Sequence, residues 1–237
     1  MHALKGKLIL LGEHPVVYGA PAVAIPAGPE VTWSHTPLSR TGALHVDGLH
    51  EERRVALEAL LHSLIPHTGF ALTMTGGLPR AAGMGASAVL AVILVEVATH
   101  YAIVAPTRPP RELVRALEAH FHGTPSGIAD TVVWFGVHVL FQRPRIEVPV
   151  VFPHTLEEPH IALIDAPPLN LIVGHSGGSS ETGTMVAMVR DRLGEGVDRF
   201  AREMTHQFEN FMTAWERLDY QAMGAVTGVV QTEYRAL

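Results

Sequence analysis

The sequence feature that most constrains the fold is a glycine-rich segment that leads directly into a helix with apolar residues on nearly every face. Residues 76–85 contain four glycines and one proline, a composition that predicts a loop. Residues 86–101 follow as ASAVLAVILVEVATHY, which places apolar side chains around almost the whole helix. Such a helix is normally buried in the middle of a domain. We therefore expect the fold to be built around this helix, with the loop at its N-terminus.

Composition and charge exclude several classes of protein. The 237 residues are 47% hydrophobic and 17% charged, which allows a substantial core in one large or two small domains. The formal net charge of −6 argues against a protein that grips nucleic acid along its backbone. Because cysteine is absent, disulfide scaffolds, thiolate metal sites and cysteine nucleophiles are excluded.

The apolar runs are too short for export or membrane insertion. Residues 8–11 are too few for the apolar region of a signal peptide. Residues 86–98 are interrupted by Glu96 and fall short of the roughly 20 residues that span a bilayer. We expect a soluble, cytoplasmic protein without a membrane partner.

Hydrophobic patterning predicts a mixture of strands and helices. Residues 16–18 are expected to be extended. Strand-like patterns occur at residues 7–11, 70–75, 132–141, 161–165 and 169–173. Helical patterns occur at residues 51–64, 86–101, 109–121, 181–193 and 197–237. Because the βαβ alternation is not regular, this mixture favours an α+β fold.

The segment PRAAGMGASA at residues 79–88 has the chemistry of a phosphate cradle. Glycines let the backbone approach a ligand closely, and the first N–H groups of the following helix are unpaired and carry partial positive charge. Ser87 adds a hydroxyl from which a Mg²⁺ ion could be reached. The segment is neither a Walker A motif nor a dinucleotide fingerprint. A plain glycine turn before a core helix explains this stretch equally well, so the remaining motifs must decide.

Four motifs, in the same order along the chain, resemble those of the mevalonate kinases in the GHMP kinase superfamily. They are GKLILLGEHPVVYG at residues 6–19, GMGASA at 83–88, HGTPSGI at 122–128 and the loop at 177–182. Galactokinases carry an aspartate soon after the Glu-His pair. Here Val16 and Val17 stand after Pro15 instead, which favours the mevalonate kinases.

The resemblance implies a GHMP kinase fold and a phosphoryl-transfer activity. An N-terminal domain like the second domain of ribosomal protein S5, with a left-handed βαβ unit, would be followed by a ferredoxin-like C-terminal domain. ATP would bind between them with Mg²⁺ as cofactor, and its γ-phosphoryl would pass to the C5 hydroxyl of mevalonate in isoprenoid biosynthesis. Residues 1–150 and 151–237 are the expected domains. The oligomeric state stays open, a homodimer included.

The resemblance also assigns roles to individual residues. Lys7 matches the lysine beside the substrate hydroxyl. The expected residues of the substrate pocket are Glu13, His14 and Thr182, the last close to the catalytic aspartate. The expected Mg²⁺ ligands are Ser87 and Glu118. The expected nucleotide-binding residues are Pro79, Gly83, Met84, Gly85, Ala86, Ser87 and Ala88.

The family's catalytic aspartate is missing at its expected position. The family's motif continues from Pro-Ser-Gly and a hydrophobic residue to Asp, but here Ile128 is followed by Ala129 and then Asp130. The spacing to Gly136 fits Ala129 as the counterpart. Three explanations are open: a substitution made in the laboratory, a natural variant without activity, or a local bulge that lets Asp130 serve as base. The intact surroundings favour the first, and a missing general base typically costs about 10²–10⁴ in rate.

A second departure from the family lies near the C-terminus. The superfamily's C-terminal glycine-rich loop has no counterpart, because residues 224–228, GAVTG, lie in a helical pattern. We therefore expect an incomplete or unusual C-terminal domain. Two alternatives to mevalonate phosphorylation stay open. One is another GHMP substrate such as phosphomevalonate, for which the motif regions offer few extra cations. The other is a non-catalytic nucleotide-binding relative, which Ala129 supports.

Overall fold

The structure is a computed structural model, and it divides into two compact units. It describes residues 3–79, 82–122, 125–143, 145, 148–151, 159–165, 169–174 and 182–236. The first unit comprises Met1–Lys7 and Pro26–Gly136, and the second comprises Leu8–Ile25 and Val137–Leu237. Residues 8–25 and 137–150, which the sequence analysis places in the N-terminal domain, therefore fall in the second unit. The domain division at residue 150 stays a prediction.

Two strands pass from one unit to the other. Strand β1 (Ala3–Leu11) pairs with β2 (Ala22–Leu38), and each contributes one of its ends to each unit. The other elements of the first unit are β3 (Leu44–Val46), α1 (Glu51–Leu64), β4 (Gly69–Thr75), α2 (Ala86–His100), α3 (Pro110–His122) and α4 (Ile128–Phe135). Those of the second unit are a 3₁₀ turn (Pro15–Tyr18), β5 (His138–Gln142), β6 (His160–Ile164), α5 (Thr182–Leu193), a 3₁₀ turn (Gly194–Gly196), α6 (Val197–Glu216) and α7 (Tyr220–Arg235).

The first unit is a small sheet covered by helices. Strand β4 is antiparallel to β2, in the register Thr32↔Thr75 to Leu38↔Gly69, and parallel to β3, from which α1 leads back to it. Helix α2 packs against α3 and α4 and has nine buried residues. The amphipathic α3 instead buries only one face, which includes Leu113, Val114 and Leu117. This packing brings the ends of α2 and α4 and one face of α3 into contact.

The second unit combines strands with a helical pair. Strand β5 is antiparallel both to residues 22–24 of β2 and to β6. Helices α6 and α7 pack against each other around an aromatic core. The buried aromatic side chains of this core are Tyr18, Phe200, Phe208, Phe211 and Trp215. In the described part of the chain, no helix combines the length and the apolar character needed to cross a membrane.

Most of the predicted elements are confirmed. Helix α1 has the predicted bounds, and α2 is the expected buried helix. The strands predicted at 7–11, 70–75 and 161–165 are present with small shifts of their ends, and the C-terminal region is helical as predicted. Sequence patterning missed β3 and the long β2, because the prolines and glycines of residues 26–42 obscure the alternation of β2.

Three predicted extended segments are wrong. Residues 16–18 belong to a 3₁₀ turn, which starts at Pro15 and closes at Gly19 with φ 99°. Residues 132–135 are helical, since α4 continues to Phe135 and ends at Gly136 with φ 65° before β5 begins. Residues 169–173 form no strand. Their apolar side chains are largely exposed, so no burial reinforces their β propensity.

Candidate active site

The glycine loop is held against the end of β1. The backbone N–H of Lys7 donates a hydrogen bond of 2.9 Å to the carbonyl of Met84. Gly85 immediately precedes α2 and has φ 73°, a left-handed conformation that glycine adopts without strain. A Cβ on Gly85 would lie 3.2 Å from Cγ of Lys7. The absence of a side chain therefore allows Lys7 to lie directly beside the N-terminus of α2.

Position 129 also lies beside the glycine loop. The Cβ atom of Ala129 lies 3.8 Å from the point that a Cβ on Gly85 would occupy. Ala129 is the second residue of α4 and is partly buried against the core of the first unit. Lys7 is itself only 8% exposed. The structure thus brings Lys7, the glycine loop and position 129 together.

Glu118 is a buried carboxylate on α3 that lies beside the first turn of α2. It is 2% exposed and hydrogen-bonded to the side chain of Ser87, the second residue of α2. Burial raises the pKa of Glu118 to about 7, and the charge of Asp130 adds to this rise. The Ser87 hydrogen bond and the charge of Lys7 act in the opposite direction. The carboxyl group is therefore readily converted between its neutral and charged forms near neutral pH.

Asp130 points to a different set of partners. It is 1% exposed, and its Oδ2 atom lies 3.6 Å from Nε of Arg115 on α3. Burial raises the pKa of Asp130, against the charges of Arg115 and Arg111. The next residue, Thr131, accepts a 3.0 Å hydrogen bond from Arg111 and donates one of 2.6 Å to the carbonyl of Gly127. No bulge is present, because residues 128–135 form a regular helix.

The oxygen atoms of Glu118 and Ser87 are suitable ligands for a Mg²⁺ ion bound together with a nucleotide. The Oε1 atom of Glu118 is buried and has no hydrogen-bond partner among the described residues. A carboxylate and the Ser87 hydroxyl are the hard oxygen ligands that Mg²⁺ prefers, and this ion usually takes few protein ligands beside phosphates and water. Within the described ranges, no cluster of three or more acidic or histidine side chains suits a metal. Of the residues that the structure describes, Glu118 and Ser87 would hold the ion.

The predicted substrate-pocket residues lie in the second unit. Glu13 is exposed in the turn after β1, and His14 is half-buried. The imidazole of His14 packs edge-on against the ring of Tyr234 on α7, with 5.9 Å between ring centroids. Thr182 is the first residue of α5. The rest of the loop predicted at 177–182 and residues 123–124 of the HGTPSGI motif lie outside the described residues.

Two arginines of the site were not identified from the sequence. Arg111 and Arg115 lie one turn apart on α3, on the same face as Glu118. Their spacing from Glu118 was available as a signal. Two arginines on the face of α3 that carries the buried Glu118 suggest a second buried carboxylate as their partner. The structure shows that Arg115 pairs with Asp130.

Comparison with known proteins agrees with this geometry. Residues 52–136 match the family described as "GHMP kinases N terminal domain". Among curated proteins, the mevalonate kinase of Pyrococcus abyssi is 25% identical over 80% of this chain and 60% of its own length. The chain thus spans about three fifths of that relative. The matched family segment covers the glycine loop, Ser87, Glu118 and position 129.

Solved structures show the same fold. L. major mevalonate kinase, crystallised with R-mevalonate, superposes with a TM-score of 0.66 over 94% of this chain and 71% of its own, at 20% identity. Phosphomevalonate kinase from Streptococcus pneumoniae, in complex with phosphomevalonate and AMPPNP, has a TM-score of 0.66 over 97% and 78%, at 14% identity. The chain therefore has the α+β fold of these kinases, and its residues 52–136 are similar to the N-terminal domains of GHMP kinases.

Proposed function

We propose that this chain is an ATP-dependent kinase of the GHMP type that phosphorylates an alcohol, with the C5 hydroxyl of mevalonate as its acceptor. The observation that carries the proposal is the meeting of Lys7, the Ser87–Glu118 pair and position 129 at the N-terminus of α2. Phosphoryl transfer depends mostly on positioning and charge neutralisation, and these groups supply both. Similarity to mevalonate kinases from several organisms supports the choice of acceptor.

The nucleotide phosphates would bind at the glycine loop. The N–H groups in the first turn of α2 have no partner within the helix, and the helix dipole favours an anion there. The residues proposed for this site are Pro79, Gly83, Met84, Gly85, Ala86, Ser87 and Ala88. With its phosphates at this end of α2, the nucleotide would lie next to Lys7 and Glu118.

Mg²⁺ would be held by Glu118 and Ser87, where it would neutralise charge on the transferred phosphoryl group. Metal binding requires the charged form of Glu118. Since the pKa of this group is raised to about 7, nucleotide binding with Mg²⁺ should strengthen from pH 6 to pH 8. Lys7 would contribute its positive charge beside the acceptor hydroxyl, favouring the oxyanion.

The acceptor's proton lacks the usual recipient in this chain. Ala129 stands where the family has its aspartate, and Asp130 is turned toward Arg115. We therefore propose slow turnover, in which charge neutralisation by Lys7 and the metal would provide most of the rate enhancement. Water would accept the proton of the acceptor hydroxyl. A loose transition state for phosphoryl transfer asks little of a base.

Ala129 also favours a second, non-catalytic function. A protein that binds MgATP without transferring its phosphoryl group would keep Gly85, Ser87 and Glu118 and could dispense with a base. Phosphomevalonate is a weaker candidate, although a phosphomevalonate kinase shares the fold. Its extra phosphate calls for further cations, and the motif regions contain few.

One set of measurements tests these functions. MgATP binding is measured by calorimetry, and product formation with radiolabelled ATP is followed for mevalonate, phosphomevalonate, galactose and homoserine. We expect binding and slow, selective labelling of mevalonate. Binding without labelled product would establish the non-catalytic function. Preference for another acceptor would replace mevalonate, and failure to bind MgATP would refute both functions.

A further inference from the structure

We propose that Arg111 and Arg115 are positioning residues that fix the rotation of α4 about its axis, so that position 129 rather than Asp130 faces Lys7 and the glycine loop. The catalytic meaning of this orientation rests on the proposed function. The orientation itself rests only on contacts within the first unit.

The two arginines bind consecutive residues in the first turn of α4. Nε of Arg115 lies 3.6 Å from Oδ2 of Asp130. Nη2 of Arg111 donates a 3.0 Å hydrogen bond to Oγ1 of Thr131. The hydroxyl of Thr131 in turn donates to the carbonyl of Gly127, the residue that precedes the helix. The side of α4 that carries residues 130 and 131 is therefore attached to α3.

Arg111 also contacts the far end of the helix. Its guanidinium group lies over the ring of Phe135, the last residue of α4, at 5.3 Å from the ring centroid. A cation above an aromatic face is attracted by the ring electrons. One side chain of α3 thus contacts both the first and the last turn of α4, which restrains its rotation at two points.

The chain ends of α4 do not by themselves fix this rotation. The helix has eight residues and lies between Gly127 (φ 93°) and Gly136 (φ 65°), both in the left-handed conformation. Glycine has unusual freedom at such joints. A turn of about 100°, the angle between successive helical residues, would bring Asp130 to the position now held by Ala129. The arginine contacts favour the observed orientation, together with the burial of Ile128, Val132 and Val133.

The selected orientation has a chemical consequence. Asp130 is 1% exposed and directed at a cation, so it is withdrawn from the glycine loop. The Cβ of Ala129 is the one beside Gly85 and Lys7. A carboxylate at position 129 would therefore be placed by the same contacts that keep Asp130 away.

The absence of cysteine from the sequence allows a direct test of the orientation. In Ala129→Cys the introduced thiol is the only one, and its alkylation by iodoacetamide reports its thiolate fraction. A nearby ammonium group lowers the pKa of a thiol. We expect this thiol to react at least fivefold faster at pH 7 than the same thiol in a variant that also carries Lys7→Met.

Removal of the arginine contacts should abolish this advantage. Adding Arg111→Met and Arg115→Met to Ala129→Cys should slow alkylation at least fivefold, whereas Arg115→Lys, which keeps the charge, should retain more than half of the rate. Ser63→Cys, an exposed position on α1, should react equally in both backgrounds. Where the double methionine variant does not fold by circular dichroism, the single change Arg115→Gln replaces it and should slow alkylation at least twofold.

An unchanged rate in the folded arginine variants, or no effect of Lys7→Met, would overturn the proposal. Protection by MgATP separates it from the proposed function. If 5 mM MgATP does not slow alkylation of Ala129→Cys while the arginine changes do, the positioning inference stands and the nucleotide site is refuted. If MgATP protects and the arginines have no effect, the inference fails and the proposed function stands.

Discussion

The first unit contains two carboxylates that are almost equally buried but have very different surroundings. Glu118 is 2% exposed and Asp130 is 1% exposed. The hydrogen-bond partner of Glu118 is the neutral Ser87, and one of its oxygens has no partner in the described part of the chain. The two oxygens of Asp130 also lack a hydrogen bond there, but the guanidinium group of Arg115 lies 3.6 Å from Oδ2, with Arg111 close by.

This difference bears on which carboxylate a metal ion would bind. Although burial still raises the pKa of Asp130, the neighbouring guanidinium charges already supply part of what a second cation would provide. Glu118 keeps a buried oxygen for which a metal ion would be a suitable partner. Sequence position alone would favour Asp130, since it directly follows position 129, where the family resemblance predicts the catalytic aspartate. Four predictions test the contrast, from the largest expected effect to the smallest.

The largest effect should come from placing a carboxylate at position 129, beside Gly85 and Lys7. Ala129→Asp should raise turnover about 10²- to 10⁴-fold, the usual worth of a positioned general base. MgATP affinity should change little, as measured by calorimetry beside radiolabel transfer to mevalonate. Ala129→Asn is the control of matched size and should give no comparable gain. If Asp130→Ala instead abolishes the residual activity and Ala129→Asp adds nothing, the roles of the two positions are reversed.

Glu118 should make the protein less stable as pH rises. Its pKa is raised from 4.5 to about 7 on folding, so the folded state binds this proton more tightly than the unfolded state. The resulting stability is fully present below pH 4.5 and is lost as pH rises through 7. Glu118→Gln does not ionise, so its stability relative to the parent should increase by about 3 kcal/mol between pH 4.5 and pH 8.

Urea unfolding in EDTA at the two pH values measures this shift. Glu96→Gln, at an exposed position on α2, is the control and should follow the parent at both pH values. If the unfolding free energies of the Glu118→Gln variant and the parent change equally with pH, burial does not disfavour the charged form of Glu118.

A side chain at position 85 should disturb the proposed nucleotide site at the glycine loop, next to Glu118. Gly85→Val forces a branched residue into φ 73° and places its Cβ 3.2 Å from the Lys7 side chain. We expect a loss of about 1–2 kcal/mol in unfolding free energy and at least tenfold weaker MgATP binding. Gly77→Ala is the matched control in the same loop, because nothing lies within 4 Å of its Cβ position. Equal nucleotide affinity in both variants would contradict the loop assignment.

The smallest effect should come from Asp130. Asp130→Asn removes the cost of burying the carboxylate, and the Arg115 side chain that loses its partner is 31% exposed, so water can solvate the remaining cation. The unfolding free energy should therefore change by less than about 1 kcal/mol at pH 7, and turnover should stay within twofold. A loss of more than about 3 kcal/mol in urea unfolding would show that the ion pair stabilises the fold strongly.

The sequence predicted the elements whose patterns are set by local composition. Helix α1 and the buried α2 follow from periodicity, and the glycine loop before α2 follows from its composition. The prediction failed where tertiary contacts override propensity. The apolar run VVWF before Gly136 has strand-like composition, yet it is the second half of α4, whose buried residues pack against α2 and α3.

What the sequence determined by itself is the set of chemical groups and their order: a lysine in a strand, a glycine loop, a serine, a glutamate and an alanine where the family resemblance predicts an aspartate. These depend on residue identity and spacing, which are visible without coordinates. Only the tertiary structure decided which groups meet. Whether Asp130 or position 129 faces Lys7 depends on the rotation of α4, and that rotation depends on side chains of α3 distant in sequence.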